Sequence, residues 1–323
     1  MRRITPAHPP PPSPTAGRHP LSRNALPVPP DSPGVLVGLV GTGIGPSLTP
    51  PLHEREADRL GLRYLYRRLD LDALGLPATA VGDVLAAARL AGYDGLNVTH
   101  PCKQLVLSHL DELSPDAEAL GAVNTVVLRD GRAVGHNTDW SGFARAFDRG
   151  LTDAALDRVV LLGAGGAGAA VAHALLTLGT RRLTIVDVDV ARAAELAGAL
   201  GDRFGVDRAA GADLAGLPGV VGAADGLVHA TPTGMAAHPG LPLDAGVLRP
   251  DLWVADIVYR PLETELVRTA RGLGCRVLDG GGMAVFQAVD AFRLFTGVEP
   301  DAERMLAHFT ELVTGPDVDV RIS

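Results

Sequence analysis

One residue type is almost missing from this chain, and its single occurrence stands where proton chemistry could use it. Of the 29 basic residues only Lys103, in "NVTHPCKQ", is a lysine; all the others are arginine. Either side chain makes an exposed ion pair or a phosphate contact. A guanidinium, however, stays charged at any working pH, whereas a partly desolvated ammonium can lose its proton near neutrality and act as a general base. The lone lysine therefore reads as a proton-transfer group, with compositional drift as the plain alternative. A lysine base needs a neighbour that orients it and bonds the reacting hydroxyl, and Asp139 in "GHNTD" has the right chemistry. By spacing alone Asp139 serves equally well as a cap on the helix entering "WSGF". Asn97 and Thr99 share a face of the strand leading to Lys103, and Asn124 follows in "GAVNT".

A second constellation is "LLGAGGAGAA", with Gly163, Gly165 and Gly168 in G-x-G-x-x-G spacing directly after an apolar run. The first glycine permits a tight turn, the second lets backbone approach a pyrophosphate, and the third lets helix and strand pack closely. Asp187 follows Gly163 by 24 positions, where a ribose-binding acid belongs. A structural glycine turn and an ordinary surface acid would look the same in isolation. A carboxylate at this point repels a 2′-phosphate, and Val188 beside it supplies no positive clamp, so NAD is favoured over NADP. Arg192 leaves the other choice open, because an arginine nearby can accommodate that phosphate.

These residues need strands and helices to carry them. "VLVGLVG", "LRYLYRRLDL" and "GLNVT" read as strands, with helices over "LHEREADRLG" and "VGDVLAAARLAG" between them. A further helix is predicted over "KQLVLSHLDEL" (103–113). "AVNTVVLRDGRAVGHNTD" has the pattern of a hairpin turning at Asp130 and Gly131. From Val159 strands and helices alternate again, the mark of a doubly wound parallel sheet. The expectation is an α/β protein of two domains, the first with a mixed sheet and the second Rossmann-like. Two helices, "MAVFQAVDAFRLFTG" and "DAERMLAHFTELV", end the pattern.

Composition narrows the partners. A net charge of -8 argues against a nucleic-acid groove or an anionic membrane surface. Residues 159–179 are apolar enough to suggest a membrane span, but five glycines and His173 fit a buried strand running into a packed helix. Cys102 and Cys275 lie far apart, in no zinc or redox spacing, so no metal is expected and a reducing cytoplasm fits. Residues 1–33, rich in proline, read as a disordered tail.

"SLTPPLHE", "NVTHPCK", "GAVNT", "NTDWSGF", "GAGGAG", "ATPTGM", "DIVYRP" and "GGMAVFQAVDAF" occur in the order found in the shikimate dehydrogenase family. The chain resembles especially the NAD-dependent quinate/shikimate dehydrogenases of that family, over residues 35 to 312. The resemblance implies that Lys103 is the general base and Asp139 its partner. It also implies that Ser47 and Thr49 bind the substrate carboxylate, and that Thr99, Asn124, Tyr259 and Gln287 hold its hydroxyls. On the cofactor side it points to Gly163, Ala164, Gly165, Gly166, Ala167, Gly168, Asp187, Arg192, Ile257 and Gly280. Residues 34–139 plus 288–315 would form the substrate domain and 140–287 the NAD domain, with quinate or shikimate as a small-molecule partner and a homodimer left open. Ser47 and Thr49 could instead shape a turn, Tyr259 fill a strand end, and Gln287 sit idle on a helix. Two departures from the commoner pattern point to the quinate branch: threonine rather than serine at position 49, and "DVD" where NADP-using members resemble "NRT". Arg260 replaces a more usual small polar residue.

Overall fold

The computed structural model describes residues 34–315, so the tail expected over 1–33 lies outside the described residues. In the first half, β1 (Val35–Gly41) is followed by α1 (Thr49–Leu60), β2 (Tyr64–Asp70), α2 (Val81–Leu90) and β3 (Gly95–Val98). The chain continues through α3 (Cys102–Leu105), β4 (Glu112–Leu113), α4 (Pro115–Leu120), β5 (Thr125–Arg129) and β6 (Arg132–His136). These strands form a six-stranded sheet in the order β2-β1-β3-β5-β6-β4. It is mixed as expected, because the β5–β6 hairpin pairs antiparallel with β3 beside the parallel β1, β2 and β3. Asp130 and Gly131 both take positive φ at the hairpin turn (53° and 74°), the geometry that matches the right-handed twist of the flanking strands.

The predicted helix over 103–113 is not continuous. α3 has four residues, a 3-10 turn spans Val106–His109, and the chain then extends into β4 beside β6. Edge pairing wins over helical pattern here. The Asp111 amide donates to the Ala133 carbonyl at 2.9 Å, its carboxylate accepts the Ala133 N–H at 2.6 Å, and the Ser114 amide bonds Gly135.

The second half begins with α5 (Asp139–Gly150) and runs through β7 (Arg158–Leu162), α6 (Gly166–Thr177), β8 (Arg182–Val186), α7 (Val190–Phe204) and β9 (Ala209–Ala212). It continues with α8 (Leu217–Gly222), β10 (Gly226–His229), β11 (Trp253–Asp256), α9 (Glu265–Gly272) and β12 (Val277–Leu278). The sheet is wholly parallel, ordered β12-β11-β10-β7-β8-β9, which is the doubly wound order with its reversal between β7 and β10. Apolar side chains of α5, α6 and α7 cover one face, and those of α8 and α9 the other.

α10 (Gly281–Thr296) then returns to the first half, followed by α11 (Ala302–Thr314). Phe295 and Ala291 join the core under β1 and β2, while Val285, Ala288 and Val289 pack with Leu52 of α1 and Phe309 of α11. Under this helix lies His53, fully buried among Tyr64, Tyr66, Phe292 and Phe295, with Nδ1 2.9 Å from the Tyr64 hydroxyl. Burial lowers its pKa from 6.5 to about 3. The unfolded chain therefore binds a proton that the folded chain refuses. His53's full contribution is present above pH 6.5 and is lost as pH falls toward 3. Between pH 7.5 and 5, wild type is expected to lose about 2 kcal/mol more stability than His53→Leu, read from denaturant midpoints at the two pH values. Parallel losses in both proteins would show that His53 does not set this slope.

Candidate active site

β3 delivers the chain to Thr99, whose carbonyl accepts the Cys102 N–H at 2.8 Å and so starts α3. The buried Cys102 side chain anchors that turn in the core, and the Lys103 carbonyl accepts the Val123 N–H at 2.9 Å. Lys103 is thereby held against the strand leading to Asn124. From the other side, β6 is followed by Asn137 and Thr138, and Asp139 opens α5.

Asp139 does not cap its helix. Thr138 occupies the cap position, and the Asp139 carboxylate turns away to accept Lys103 Nζ on Oδ2 at 2.5 Å and Asn124 Nδ2 on Oδ1 at 2.9 Å. Asn124 cannot flip without loss, because its Oδ1 accepts the Thr138 N–H at 2.7 Å. The Lys103 and Asp139 side chains are 20% and 10% exposed, so the pair is largely dried yet open on one side to a reactant.

Further polar groups brace this centre from beneath. Asn97 Nδ2 donates to Thr125 Oγ1 at 3.0 Å and to the Asn124 carbonyl at 3.2 Å, and its Oδ1 accepts the Tyr66 hydroxyl at 2.6 Å. Thr125 and Thr138 thus have positions in the network that motif reading did not single out. The signal was present as two "NT" pairs at strand ends facing one another across the hairpin.

The remaining predicted substrate residues come from the end of β3, the turn into α1, the loop after β11 and α10. Tyr259, in the loop after β11, has its hydroxyl pushed above the usual phenol range chiefly by burial; Arg260 opposes the shift and the Asp139 charge adds to it. It therefore remains a protonated donor at neutral pH. Gln287 stands on α10 where that helix presses on α5; a Cβ at Gly142 would lie 2.7 Å from the Gln287 nitrogen, so glycine permits the approach. Ser47 and Thr49 form the turn into α1, with the Thr49 N–H donating to Ser47 Oγ at 3.3 Å. Among the described residues, Ser47, Thr49, Thr99 and Gln287 make no hydrogen bond to Lys103, Asp139 or Asn124.

The glycine turn lies at the carboxyl end of β7, beside the strand-order reversal. Gly163 has φ +102°, and a Cβ on Gly168 would stand 2.0 Å from the Gly163 carbonyl oxygen, so both positions exclude a side chain. Gly165 and Gly166 face open space, where backbone amides at the start of α6 can meet an anion. Ala164 and Ala167 complete the turn, and the Ala164 N–H donates to Asp187 Oδ2 at 2.7 Å. Asp187 Oδ1 accepts the Asp189 N–H at 2.9 Å, with Arg192 Nη2 at 3.6 Å. A carboxylate has about four acceptor sites, so room remains for ribose hydroxyls. Gly280 lies against Ile257 near the end of the same sheet: its Cβ would be 2.5 Å from the Ile257 oxygen. This cradle fits a dinucleotide.

One buried cluster escaped sequence reasoning. His229, wholly buried on β10, lies 2.9 Å from Asp256 and 2.5 Å from Thr231, and Asp256 accepts Thr264 at 2.6 Å. Among the described residues no group of three or more His, Cys, Asp or Glu could hold a metal ion, and no helix is long and apolar enough to cross a membrane.

A doubly wound sheet whose glycine turn suits an anion, in one chain with a lysine–carboxylate pair braced at the end of a second sheet, defines a dinucleotide-linked oxidoreductase. Family models agree: residues 39–126 match the shikimate dehydrogenase substrate binding domain, and 280–308 the shikimate 5′-dehydrogenase C-terminal domain. A shikimate dehydrogenase (NADP(+)) of Streptomyces avermitilis is 70% identical over 277 residues, 86% of this chain and 95% of its own. A quinate/shikimate dehydrogenase (NAD(+)) of Corynebacterium efficiens is 51% identical over 86% of this chain and 98% of its own. The solved quinate dehydrogenase from Corynebacterium glutamicum in complex with NAD superposes with a TM-score of 0.81 at 50% identity, covering 86% of this chain and 99% of that one. The chain belongs to the shikimate dehydrogenase family.

Proposed function

We propose that this protein is an NAD-dependent dehydrogenase that oxidises quinate or shikimate reversibly at the C3 hydroxyl, giving 3-dehydroquinate or 3-dehydroshikimate. Residues 34–139 with 288–315 serve as the substrate domain and 140–287 as the cofactor domain. The observation that carries this reading is the 2.5 Å contact of the lone lysine with Asp139, both held on an open face of the site.

Lys103 in its neutral form takes the proton of the C3 hydroxyl, and Asp139 stabilises the ammonium that results. In the reducing direction the same ammonium returns the proton to the developing alkoxide. Asn124 keeps Asp139 aimed at the lysine and, with Thr99, Tyr259 and Gln287, bonds the ring hydroxyls; Ser47 and Thr49 bond the carboxylate. Bound at the glycine turn, the nicotinamide dinucleotide supplies the hydride acceptor. Two buried, unbridged thiols suit a cytoplasmic enzyme.

Asp187 supports NAD, since its charge opposes a 2′-phosphate at the ribose position. The name of the Streptomyces avermitilis relative favours a second reading, an NADP-linked biosynthetic enzyme, and Arg192 is the residue that would serve it. Steady-state rates for quinate and shikimate, each against NAD and NADP, separate the two. Faster turnover with NAD on either substrate upholds the first reading; a clear preference for NADP selects the second.

A further inference from the structure

The turn that carries Ser47 and Thr49 is gripped from two sides by arginine. Arg68, on β2 of the same sheet, donates from Nη2 to the Ser47 carbonyl at 2.7 Å. Arg260, in the loop after β11 of the other sheet, reaches across to donate from Nη1 to the Pro46 carbonyl. Both bonds end on neutral backbone oxygens. Among the described residues neither guanidinium has a carboxylate within ion-pair distance, unlike Arg145, Arg149 and Arg304, which each hold an acid. Asp70, which also holds this loop, spends its oxygens on the Gly43 and Ile44 amides at 3.1 and 2.9 Å.

The charge is therefore unspent at the one place where an anionic substrate needs it. Lys103 is matched by Asp139, so the reacting centre adds no net positive charge. The chain as a whole carries -8, a background that repels a carboxylate. Ser47 and Thr49 offer hydroxyls that orient but carry no charge. A guanidinium presents five donors, and the bond to a backbone oxygen leaves others free for a planar carboxylate.

We propose that Arg260, with Arg68, forms a cationic bracket that draws a substrate carboxylate onto the Ser47–Thr49 turn and sets the preference of the site for acids over neutral polyols. This rests on the reading of that turn as the carboxylate end of the substrate. Arg260 is then a specificity residue contributed by the cofactor-binding half, so capture of the acid also favours approach of the two halves.

The test compares Arg260→Met and Arg260→Lys with wild type, using the full chain at saturating dinucleotide. The substrates are shikimate, quinate and the uncharged methyl ester of shikimate. Arg260→Met is expected to raise KM for the acids about 5- to 30-fold with kcat nearly unchanged, and to flatten the salt dependence of kcat/KM. KM for the ester and for the dinucleotide should stay at the wild-type value, and lysine should restore most of the loss. Arg68→Gln should move KM for the acids in the same direction. An unchanged KM for the acids, or an equal rise for acid and ester, overturns the bracket. Wild type that turns over neither acid would sink the proposed reaction instead, and calorimetric binding of shikimate to wild type and Arg260→Met would then decide the bracket by itself.

Discussion

Lys103→Arg is expected to lower kcat by roughly 10²- to 10⁴-fold, while KM for the substrate changes little and the melting transition stays close to wild type. The variant isolates the proton from the charge. Arginine keeps a cation beside Asp139, whose carboxylate would otherwise be left buried with Asn124 as its only side-chain donor among the described residues. What arginine cannot do is release a proton at working pH. Lys103→Ala should lose at least as much turnover, but part of its loss would come from the stranded carboxylate. Single-turnover rates and thermal melts of both variants make the comparison. If Lys103→Arg turned over at the wild-type rate, Lys103 would be a charge anchor and the base would have to be sought elsewhere.

The second large effect concerns Asp187. Two unit charges about 4 Å apart at the effective screening of a protein surface repel by about 4 kcal/mol. Wild type should accordingly favour NAD over NADP by on the order of 10³-fold in kcat/KM, since each 1.4 kcal/mol is a factor of ten. Asp187→Ser should reduce that ratio by at least about tenfold. Both cofactors will bind less well, because the Ala164 and Asp189 amides lose the carboxylate that fixes the glycine turn. The ratio cancels that shared loss and reports the charge alone. A ratio unmoved by the substitution would mean that Arg192 or the loop backbone, rather than Asp187, selects the cofactor.

Much of this architecture was legible where one local signal met no competitor. The parallel sheet of the second half follows from apolar runs alternating with helical patterns, and the hairpin from Asp130-Gly131 between β-rich segments. The solitary lysine was informative because arginine had taken every role that needs only charge. Where tertiary pairing outweighed local preference, the reading failed. Val106–Leu113 carries a helical pattern, yet the Asp111 bonds to β6 draw its end into a strand. β9, "AAGA", has no strand propensity of its own and exists because β8 offers it an edge. The burial of His53 and His229 had no local signal, since nothing local tells which face of a helix or strand is sealed. Likewise Arg260 stood out as a departure, but only the fold brings it to Pro46, 214 positions away in the chain.

α10 gives the order of assembly an unusual direction. Phe295 and Ala291 complete the apolar layer beneath β1 and β2, although more than 200 residues of chain separate them. During synthesis the segment that is made first therefore waits, missing part of its interior, while the later parallel sheet already has its own helices within reach. The sheet made first is thus completed last, when the final helices emerge, although most of the later sheet's covering helices, α6 to α9, lie within its own stretch of chain.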